Sequence, residues 1–316
     1  MKNRIGVNKL IISATAPNTC SFQRRFINSL LAACFFLNSA CSLRAQDFNL
    51  NSAIYNVVIG AVSGGLGGMI NKNKDQKSYQ AFLRGFATGG GGGAVMYCGK
   101  KLNFLVSQKQ RLGYAWVSRA VFSAGNSIVE NAAANRQFWS QWHYDVAFLR
   151  LEFNVKPLTF TPRLMPSNFG GILFMAIHGR LDGEATLKSG TLTFRTRRIE
   201  YYPTLIGSTA GNGFLLNDTI GGGTFFYDVY AHEMIHTFQF QELSGLNYLF
   251  TPVTSKWKQQ SIFLRKYGKW IYGDLNYELM LINYFIINGG LQHGRYCANL
   301  LENEAEFLST GRRACH

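Results

Sequence analysis

Small and apolar residues recur at helical spacing through residues 52–134, with one charged turn at 71–75. Residues four apart lie on one face of a helix, and glycines on such a face let two backbones approach closely. Two series with GxxxGxxxG spacing occur here: Gly60, Gly64 and Gly68, and Gly85, Gly89 and Gly93. The pattern predicts a helical hairpin.

The helical pattern continues beyond this hairpin and then gives way to a shorter period. Residues 105–136 carry alanine and valine at helical spacing, which predicts a helix packed beside the hairpin. From Tyr144 onward, short β-branched and aromatic runs predict strands of an antiparallel or mixed sheet. The predicted strands are Val146–Phe153, Ile172–Ile177, Ala185–Leu187 and Thr191–Phe194, the last two around a turn at Lys188–Gly190.

After three glycines at 221–223 the chain becomes helical again. Helices are predicted around the sequence HEMIH at 232–236, near 275–287 and from about 298 to 309. The predicted fold class is α+β. It combines an N-terminal glycine-zipper helical hairpin and helix, a central small twisted β-sheet, and C-terminal helices that carry an HExxH and an ExxxE motif.

The first 45 residues have the layout of an export signal. An arginine pair at 24–25 precedes an apolar run at 30–37, and small residues then lead to Ala45. The apolar run is too short to span a bilayer comfortably. We therefore expect a signal peptide at 1–45 and export to the periplasm or outer envelope of a bacterium. A retained N-terminal membrane anchor is the alternative. The rest divides into a glycine-rich helical region at 46–140 and a domain at 141–316 that carries both motifs.

Composition and charge narrow the classes of partner. With 316 residues and 47% hydrophobic content, the chain can fill a real core. The formal charge is +15, but six basic and no acidic residues lie at 1–45, so removal of this segment leaves +9. Because the remaining basic residues are spread along the chain, nucleic acid is a poor partner and an anionic membrane surface a better one. The cysteines beyond residue 45 show no CxxC spacing, so no cysteine-ligated metal site is indicated.

Two interpretations of the glycine-rich hairpin stay open. It could contact a membrane through residues 52–98, because Ala53–Ile70 carries no charge and is about long enough to cross the apolar layer. A tightly packed hairpin in a soluble protein is favoured, because Arg84 interrupts the second stretch and glycine disfavours an isolated helix.

The HEMIH segment carries the candidate chemistry. His232 and His236 are four residues apart, so both imidazoles can reach one metal ion from the same helical face. Glu233 lies at the edge of that face, where its carboxylate can take a proton from metal-bound water and pass it to a departing amine. The alternative is a histidine pair satisfied by hydrogen bonds on a half-buried helix.

A hydrolytic zinc site needs a third protein ligand and an open position for water. The HExxHxxGxxH pattern fails, because Gln239 replaces the glycine and Glu242 replaces the last histidine. Three acids remain as candidates for the third ligand: Glu278, Glu302 and Glu304. Glu302 and Glu306 share a helical face, so one could bind the metal while the other accepts the outer N–H of a ligand histidine.

HExxH followed tens of residues later by an ExxxD-type segment resembles the gluzincin zinc metallopeptidases, which include thermolysin-like enzymes and CAAX-protease-like membrane peptidases. The combination HExxHxxQ with ExEA[DE] is also similar to exported bacterial metallopeptidase-like domains. The resemblance covers these two motifs and hardly extends to residues 52–200. It implies a zincin-like domain at 141–316.

Carried over by position, the resemblance implies Zn²⁺ held by His232, His236 and Glu302, with Glu233 as the general base. Glu306 becomes the supporting acid, although aspartate is usual there. The implied substrate is a peptide or protein, and the strand near 213–216 is expected to pair with it. Candidates for stabilising the oxyanion are Tyr277, His293 and Tyr296.

A different class of function competes with the peptidase. The chain could be a membrane-associated structural or binding protein in which the glycine-rich hairpin is the active element and the metal is absent or structural. A degenerate peptidase domain is a third interpretation, against which the presence of Glu233 argues.

Overall fold

The computed structural model describes residues 48–197, 206–287 and 299–311. The predicted signal peptide at 1–45 lies outside this part of the chain. The described residues form an α+β fold, as the sequence predicts, with most of the chain in helices and two small sheets.

The glycine-rich region forms the predicted helical hairpin. Helix α1, Phe48–Ile70, runs antiparallel to helix α2, Ser78–Leu102, and the two glycine series face each other. A Cβ atom at Gly64 would lie 2.3 Å from the carbonyl oxygen of Gly85, which leaves room for hydrogen only. Of the described helices, α1 is the one that is long and apolar enough to cross a membrane. However, 56% of its most apolar stretch is buried inside the protein.

The helical segment predicted at 105–136 is divided into two helices. Helix α3, Phe104–Lys109, ends at Gln110, whose left-handed backbone turns the chain. Helix α4, Tyr114–Ala133, then packs across the hairpin. It approaches α2 closely at Gly125, where a Cβ atom would lie 2.5 Å from the backbone nitrogen of Met96.

The strand region forms two sheets where one was predicted. The first is an antiparallel meander of β1, Gln141–Val146, β2, Leu149–Asn154, and β3, Thr159–Leu164. The single strand predicted at Val146–Phe153 is wrong, because Ala147 adopts a positive φ of 54° and reverses the chain there.

The second sheet has the order β4-β5-β7-β6. Its strands are β4, Arg180–Leu181; β5, Leu192–Thr196; β6, Gly207–Thr209; and β7, Gly213–Asn217. β5 confirms the strand predicted at Thr191–Phe194. β5 and β7 are parallel, whereas β6 is antiparallel to β7.

The strands predicted at Ile172–Ile177 and Ala185–Leu187 are wrong, because both segments are helical. Helix α5, Pro166–His178, begins with a proline in its first turn, where the missing N–H costs nothing. Helix α6, Gly183–Ser189, is capped by the Asp182 side chain. Short apolar runs do not distinguish a strand from a half-buried helix.

The expectation that residues 213–216 pair with substrate is also wrong. β7 lies inside the sheet, hydrogen-bonded to β5 on one side and β6 on the other, and all five of its residues are buried. Both of its edges are therefore occupied. β6 takes the edge position next to it.

The C-terminal half contains the three predicted helices, which are α7, Thr224–Glu242; α10, Asn276–Ile282; and α11, Leu300–Thr310. Two short helices between them were not predicted: α8, Thr251–Gln260, and α9, Ile262–Tyr267. Short 3₁₀ segments cover Asp218–Ile220, Ser244–Phe250 and Gly268–Trp270, and a π-helical turn covers Asn283–Ile287. α7 lies in the centre and contacts the hairpin, α3, α4, α10, α11, β6 and β7.

Candidate metal centre

Three buried side chains converge between α7 and α11. The Nε2 atoms of His232 and His236 lie 3.1 Å apart, one helical turn from each other on α7. Glu302 of α11 places its Oε2 atom 3.2 Å from the first Nε2 and 3.4 Å from the second. The three potential ligand atoms lie within 4.8 Å of one another, so this triad could hold a metal ion.

Local sequence explains why α11 presents Glu302 at this point. The Asn299 side chain accepts a 3.0 Å hydrogen bond from the backbone N–H of Leu301 and so caps the helix. Leu301, Ala305 and Leu308 are buried in the protein core. This packing sets the rotation of the helix, and Glu302 in its first turn consequently faces α7.

Each histidine has a second partner on the far side of its ring. His232 Nδ1 lies 3.3 Å from Glu306 Oε2, and His236 Nδ1 lies 2.8 Å from Gln239 Oε1. Outer acceptors of this kind hold the proton on Nδ1 and leave the Nε2 lone pair for a metal. The predicted supporting position of Glu306 thus agrees with the geometry.

Without a cation the triad is a compact ion-paired group. Burial favours neutral imidazole, but hydrogen bonds with Glu302 and Glu306 raise the pKa of His232 to about 10. The pKa of His236 is also raised, because the Glu302 charge outweighs burial. Although burial opposes it, the two histidines hold the pKa of Glu302 well below its usual range. A cation that binds here has to displace protons from the histidines.

Glu233 is buried beneath strand β6. Thr209 Oγ1 donates a 2.6 Å hydrogen bond to Glu233 Oε2. A Cβ atom at Gly207 would lie 2.4 Å from Glu233 Oε1, so the glycine provides the space that this carboxylate occupies. The negative charge of Glu233 contributes to the raised pKa values of both histidines, which places it electrostatically within the centre.

Tyr284 is a member of the centre that sequence reasoning missed. Its hydroxyl donates a 2.6 Å hydrogen bond to Glu302 Oε1 and leaves Oε2 facing the histidines. Tyr284 lies in the π-helical turn Asn283–Ile287, and such turns are frequent at functional sites. Helical spacing gives no rule for the direction of a side chain in a π turn.

The other two acids proposed as ligands lie elsewhere. Glu304 turns away from the triad and accepts hydrogen bonds from Gln239 and from Lys100 Nζ, each at 2.9 Å. Glu278 is exposed and accepts a 2.6 Å hydrogen bond from Ser167 Oγ. The structure therefore brings neither carboxylate to the histidines.

The residues proposed to stabilise an oxyanion receive no support from the described geometry. Tyr277 packs against Phe240, with ring centroids 4.9 Å apart. Burial, with the charges of Glu278 and Asp274, raises the pKa of Tyr277 to about 12. His293 and Tyr296 lie outside the described residues.

A buried lysine accompanies the centre on its hairpin side. Lys100 of α2 is fully buried and pairs with both Glu242 and Glu304. Burial disfavours its ammonium group, but the two carboxylates raise the pKa of Lys100, so it is charged. Burial raises the pKa of Glu242 to about 7, with Lys100 opposing that shift. Glu242 therefore faces Lys100 rather than the two histidines.

Comparison with known proteins identified no relative of this chain. No protein-family model, no curated protein and no solved structure matches the chain. Its function has to be inferred from the triad and the groups around it.

Proposed function

We propose that the triad binds Zn²⁺ and that the chain is an exported zinc-dependent peptidase. The observation that carries the proposal is the convergence of His232, His236 and Glu302 on one point, with Glu233 beside them on α7. The motif pair resembles that of gluzincins. Export through residues 1–45 belongs to the same proposal.

The separations between the ligand atoms support zinc. Zinc binds histidine nitrogen and carboxylate oxygen at about 2.0–2.2 Å in a tetrahedron, whose corners are then roughly 3.3 Å apart. The three separations in the triad are 3.1, 3.2 and 3.4 Å. Two nitrogens and one oxygen would supply three ligands and would leave one position open, as in catalytic zinc sites.

When bound, zinc would supply an acidified water in that fourth position. Glu233 would be the general base beside it, placed to accept a proton and to pass it to a leaving amine. The hydrogen bond from Thr209 to Oε2 would hold the Glu233 carboxylate in place for this transfer. Tyr284 and Glu306 orient a ligand each and do not touch the substrate in this scheme.

Strand β6 supports a peptide as the substrate. It pairs with β7 on one side, is the last strand of its sheet among the described residues, and lies directly over Glu233. An extended peptide could add to this edge through backbone hydrogen bonds, a common mode of peptide recognition. Its scissile bond would then lie beside the general base.

The decisive experiment measures metal content and hydrolysis in the same preparations. We expect about one zinc per chain in the purified wild-type protein and none in His232→Ala. Glu233→Gln should retain the zinc and lose hydrolysis of a quenched fluorescent peptide library by roughly 10²-fold or more. Glu278→Gln is the matched control and should behave as wild type, because Glu278 is exposed and outside the triad. A wild-type protein without metal would overturn the proposal, and equal hydrolysis by Glu233→Gln would reduce the centre to a structural site.

A further inference from the structure

Gln239 connects the candidate metal centre to a buried ion pair. Its Oε1 lies 2.8 Å from His236 Nδ1, and its Nε2 donates to Leu301 O at 3.0 Å and to Glu304 Oε2 at 2.9 Å. Glu304 Oε2 also accepts a 2.9 Å hydrogen bond from Lys100 Nζ. Gln239 and Lys100 are fully buried, and Glu304 is 2% exposed.

Hydrogen-bond chemistry allows only one orientation of the Gln239 side-chain amide. A backbone carbonyl and a carboxylate paired with an ammonium group can only accept, so the amide NH₂ of Gln239 must face Leu301 and Glu304. Its oxygen then faces His236 and accepts the proton of Nδ1. The lone pair of His236 is left on Nε2, the atom that faces His232 and Glu302.

We propose that Gln239, Glu304 and Lys100 are positioning residues that lock the metal-binding tautomer and ring orientation of His236. The proposal rests on the proposed metal centre. It assigns a role to the glycine-rich hairpin as well, because α2 contributes Lys100. From α1, the side chains of Ser52 and Asn56 donate to Glu304 Oε1 at 2.7 and 2.9 Å.

The close helix packing is what allows the hairpin to reach the centre. Gly99 precedes Lys100 and lies so close to α4 that a Cβ atom there would be 2.5 Å from the Phe122 backbone nitrogen. Lys100 is thereby held between α7 and α11. We expect affinity for metal to depend on these hairpin residues although none of them touches the ion.

The test compares two glutamine substitutions of equal size on the same helix. Gln239→Met removes the acceptor of His236 Nδ1. Gln241→Met, two residues away, removes a buried hydrogen bond to Asn212 that does not involve the triad. Zinc affinity is measured by competition with a chromophoric chelator after metal removal. We expect the Kd for zinc to rise about 10–100-fold in Gln239→Met and to stay at the wild-type value in Gln241→Met.

The outcomes separate this inference from the proposed function. Wild-type protein that binds no zinc overturns the proposed function itself. Wild-type affinity in Gln239→Met, or an equal loss in both variants, overturns the positioning role. If Gln239→Met does not fold, ¹⁵N NMR of the zinc-loaded wild type decides: protonated Nδ1 and metal-bound Nε2 on His236 support the role, and metal-bound Nδ1 contradicts it.

A second surface is independent of the metal centre. Neither α8 nor α9 contains a buried residue, and the segment from α8 through the following 3₁₀ turn exposes large apolar side chains. Ile262 is 74% exposed, and Trp257, Phe263 and Trp270 are each about half exposed. Tyr267 joins the same surface, and its ring lies 5.2 Å from that of Phe263 at a tilt of 43°.

This surface is also strongly basic. Its cations are Lys256, Lys258, Arg265, Lys266 and Lys269. No acidic residue occurs between Glu242 and Asp274. The expectation that the basic residues beyond the signal are evenly spread along the chain is therefore wrong. In this segment they alternate with exposed aromatic residues.

We infer that residues 256–270 form a docking surface for an anionic lipid bilayer. Exposed tryptophan, tyrosine and bulky apolar residues favour the interface of a membrane, and adjacent lysine and arginine favour anionic headgroups. The strongly exposed Ile262 favours a bilayer over a nucleic acid, which would use aromatic stacking and charge alone.

Vesicle sedimentation tests this surface against the hairpin. We expect wild-type protein to sediment with vesicles containing phosphatidylglycerol, to release at high salt, and not to bind pure phosphatidylcholine. Ile262→Ser with Phe263→Ser should abolish binding. Tyr79→Ser with Leu83→Ser, a matched pair of exposed residues on α2, should leave it unchanged. Loss of binding only in the α2 pair would assign the contact to the hairpin. Binding to a single-stranded oligonucleotide but not to vesicles would also overturn the inference.

Discussion

Tyr284 donates a 2.6 Å hydrogen bond to Glu302 Oε1, and Glu302 Oε2 is thereby left to face the two histidines. Outer-shell hydrogen bonds of this kind orient a ligand before the metal arrives and so reduce the cost of binding. The two residues come from different elements, the π-helical turn and α11.

We predict that Tyr284→Phe weakens zinc binding by about 10-fold, because the Glu302 carboxylate loses the donor that holds it. The measurement is a chelator competition on metal-free protein. Tyr277→Phe is the matched control, since the ring of Tyr277 packs against Phe240 and not against Glu302. Equal affinity of Tyr284→Phe and wild type would contradict the orienting role.

Gly207→Ala should impair the proposed general base more than the fold. The added methyl group would lie 2.4 Å from Glu233 Oε1, and Thr209 restrains the other oxygen, so the carboxylate has to move. We expect a kcat at least 10-fold lower, because general-base catalysis requires hydrogen-bond geometry. Gly170→Ala, on the open side of α5 with no atom nearby, should leave kcat unchanged. Undiminished peptide hydrolysis by the Gly207→Ala variant would argue against Glu233 as the proposed base.

The helical hairpin offers a matched pair of glycines within α2. Gly89→Ala would place a Cβ atom 2.1 Å from the carbonyl oxygen of Gly60, so the helices must separate. We expect a loss of about 1–3 kcal/mol or more in the free energy of unfolding. Gly91→Ala meets no atom within 4 Å and should stabilise the helix by up to about 1 kcal/mol. Urea denaturation measures both, and a similar sign for the two would contradict the packing described for α1 and α2.

The free energy of unfolding should decrease in acid, because the buried carboxylate of Glu130 becomes protonated. Burial opposes ionisation of this carboxyl group, but Arg150, 2.8 Å away, and His143 lower its pKa to about 2. Because the folded pKa lies below the ordinary value of 4.5, the contribution is complete above about pH 4.5 and is lost as the pH falls towards 2. We expect Glu130→Gln to cost roughly 3 kcal/mol at pH 7 and much less at pH 3, by chemical denaturation. An equal cost at both pH values would contradict the ion pair.

Local periodicity made much of this protein predictable from sequence. The spacing of His232 and His236 places them on one face of any helix, and the same rule relates Glu302 to Glu306. The facing glycine series predicted the hairpin for an equally local reason. Turn and helix signals also predicted α7, α10, α11 and the α+β class, but not the short helices α8 and α9.

Tertiary structure decided what depends on pairing and rotation. Glu302 rather than Glu304 faces the histidines because burial of Leu301, Ala305 and Leu308 sets the rotation of α11. The segments 172–177 and 185–187 are helical, since short apolar runs fit either structure until their surroundings select one.

Contacts between distant parts of the chain were beyond any local pattern. Such contacts join residues that are far apart in sequence or follow no regular spacing. Examples are the edge position of β6, the approach of Tyr284 to Glu302 and the position of Lys100 beside the centre. The sequence by itself determined that two histidines and an acid could share an ion. Only the packing of α7 against α11 and the hairpin determined which acid faces the histidines and which side chains hold their rings, because both depend on how whole helices are rotated and placed.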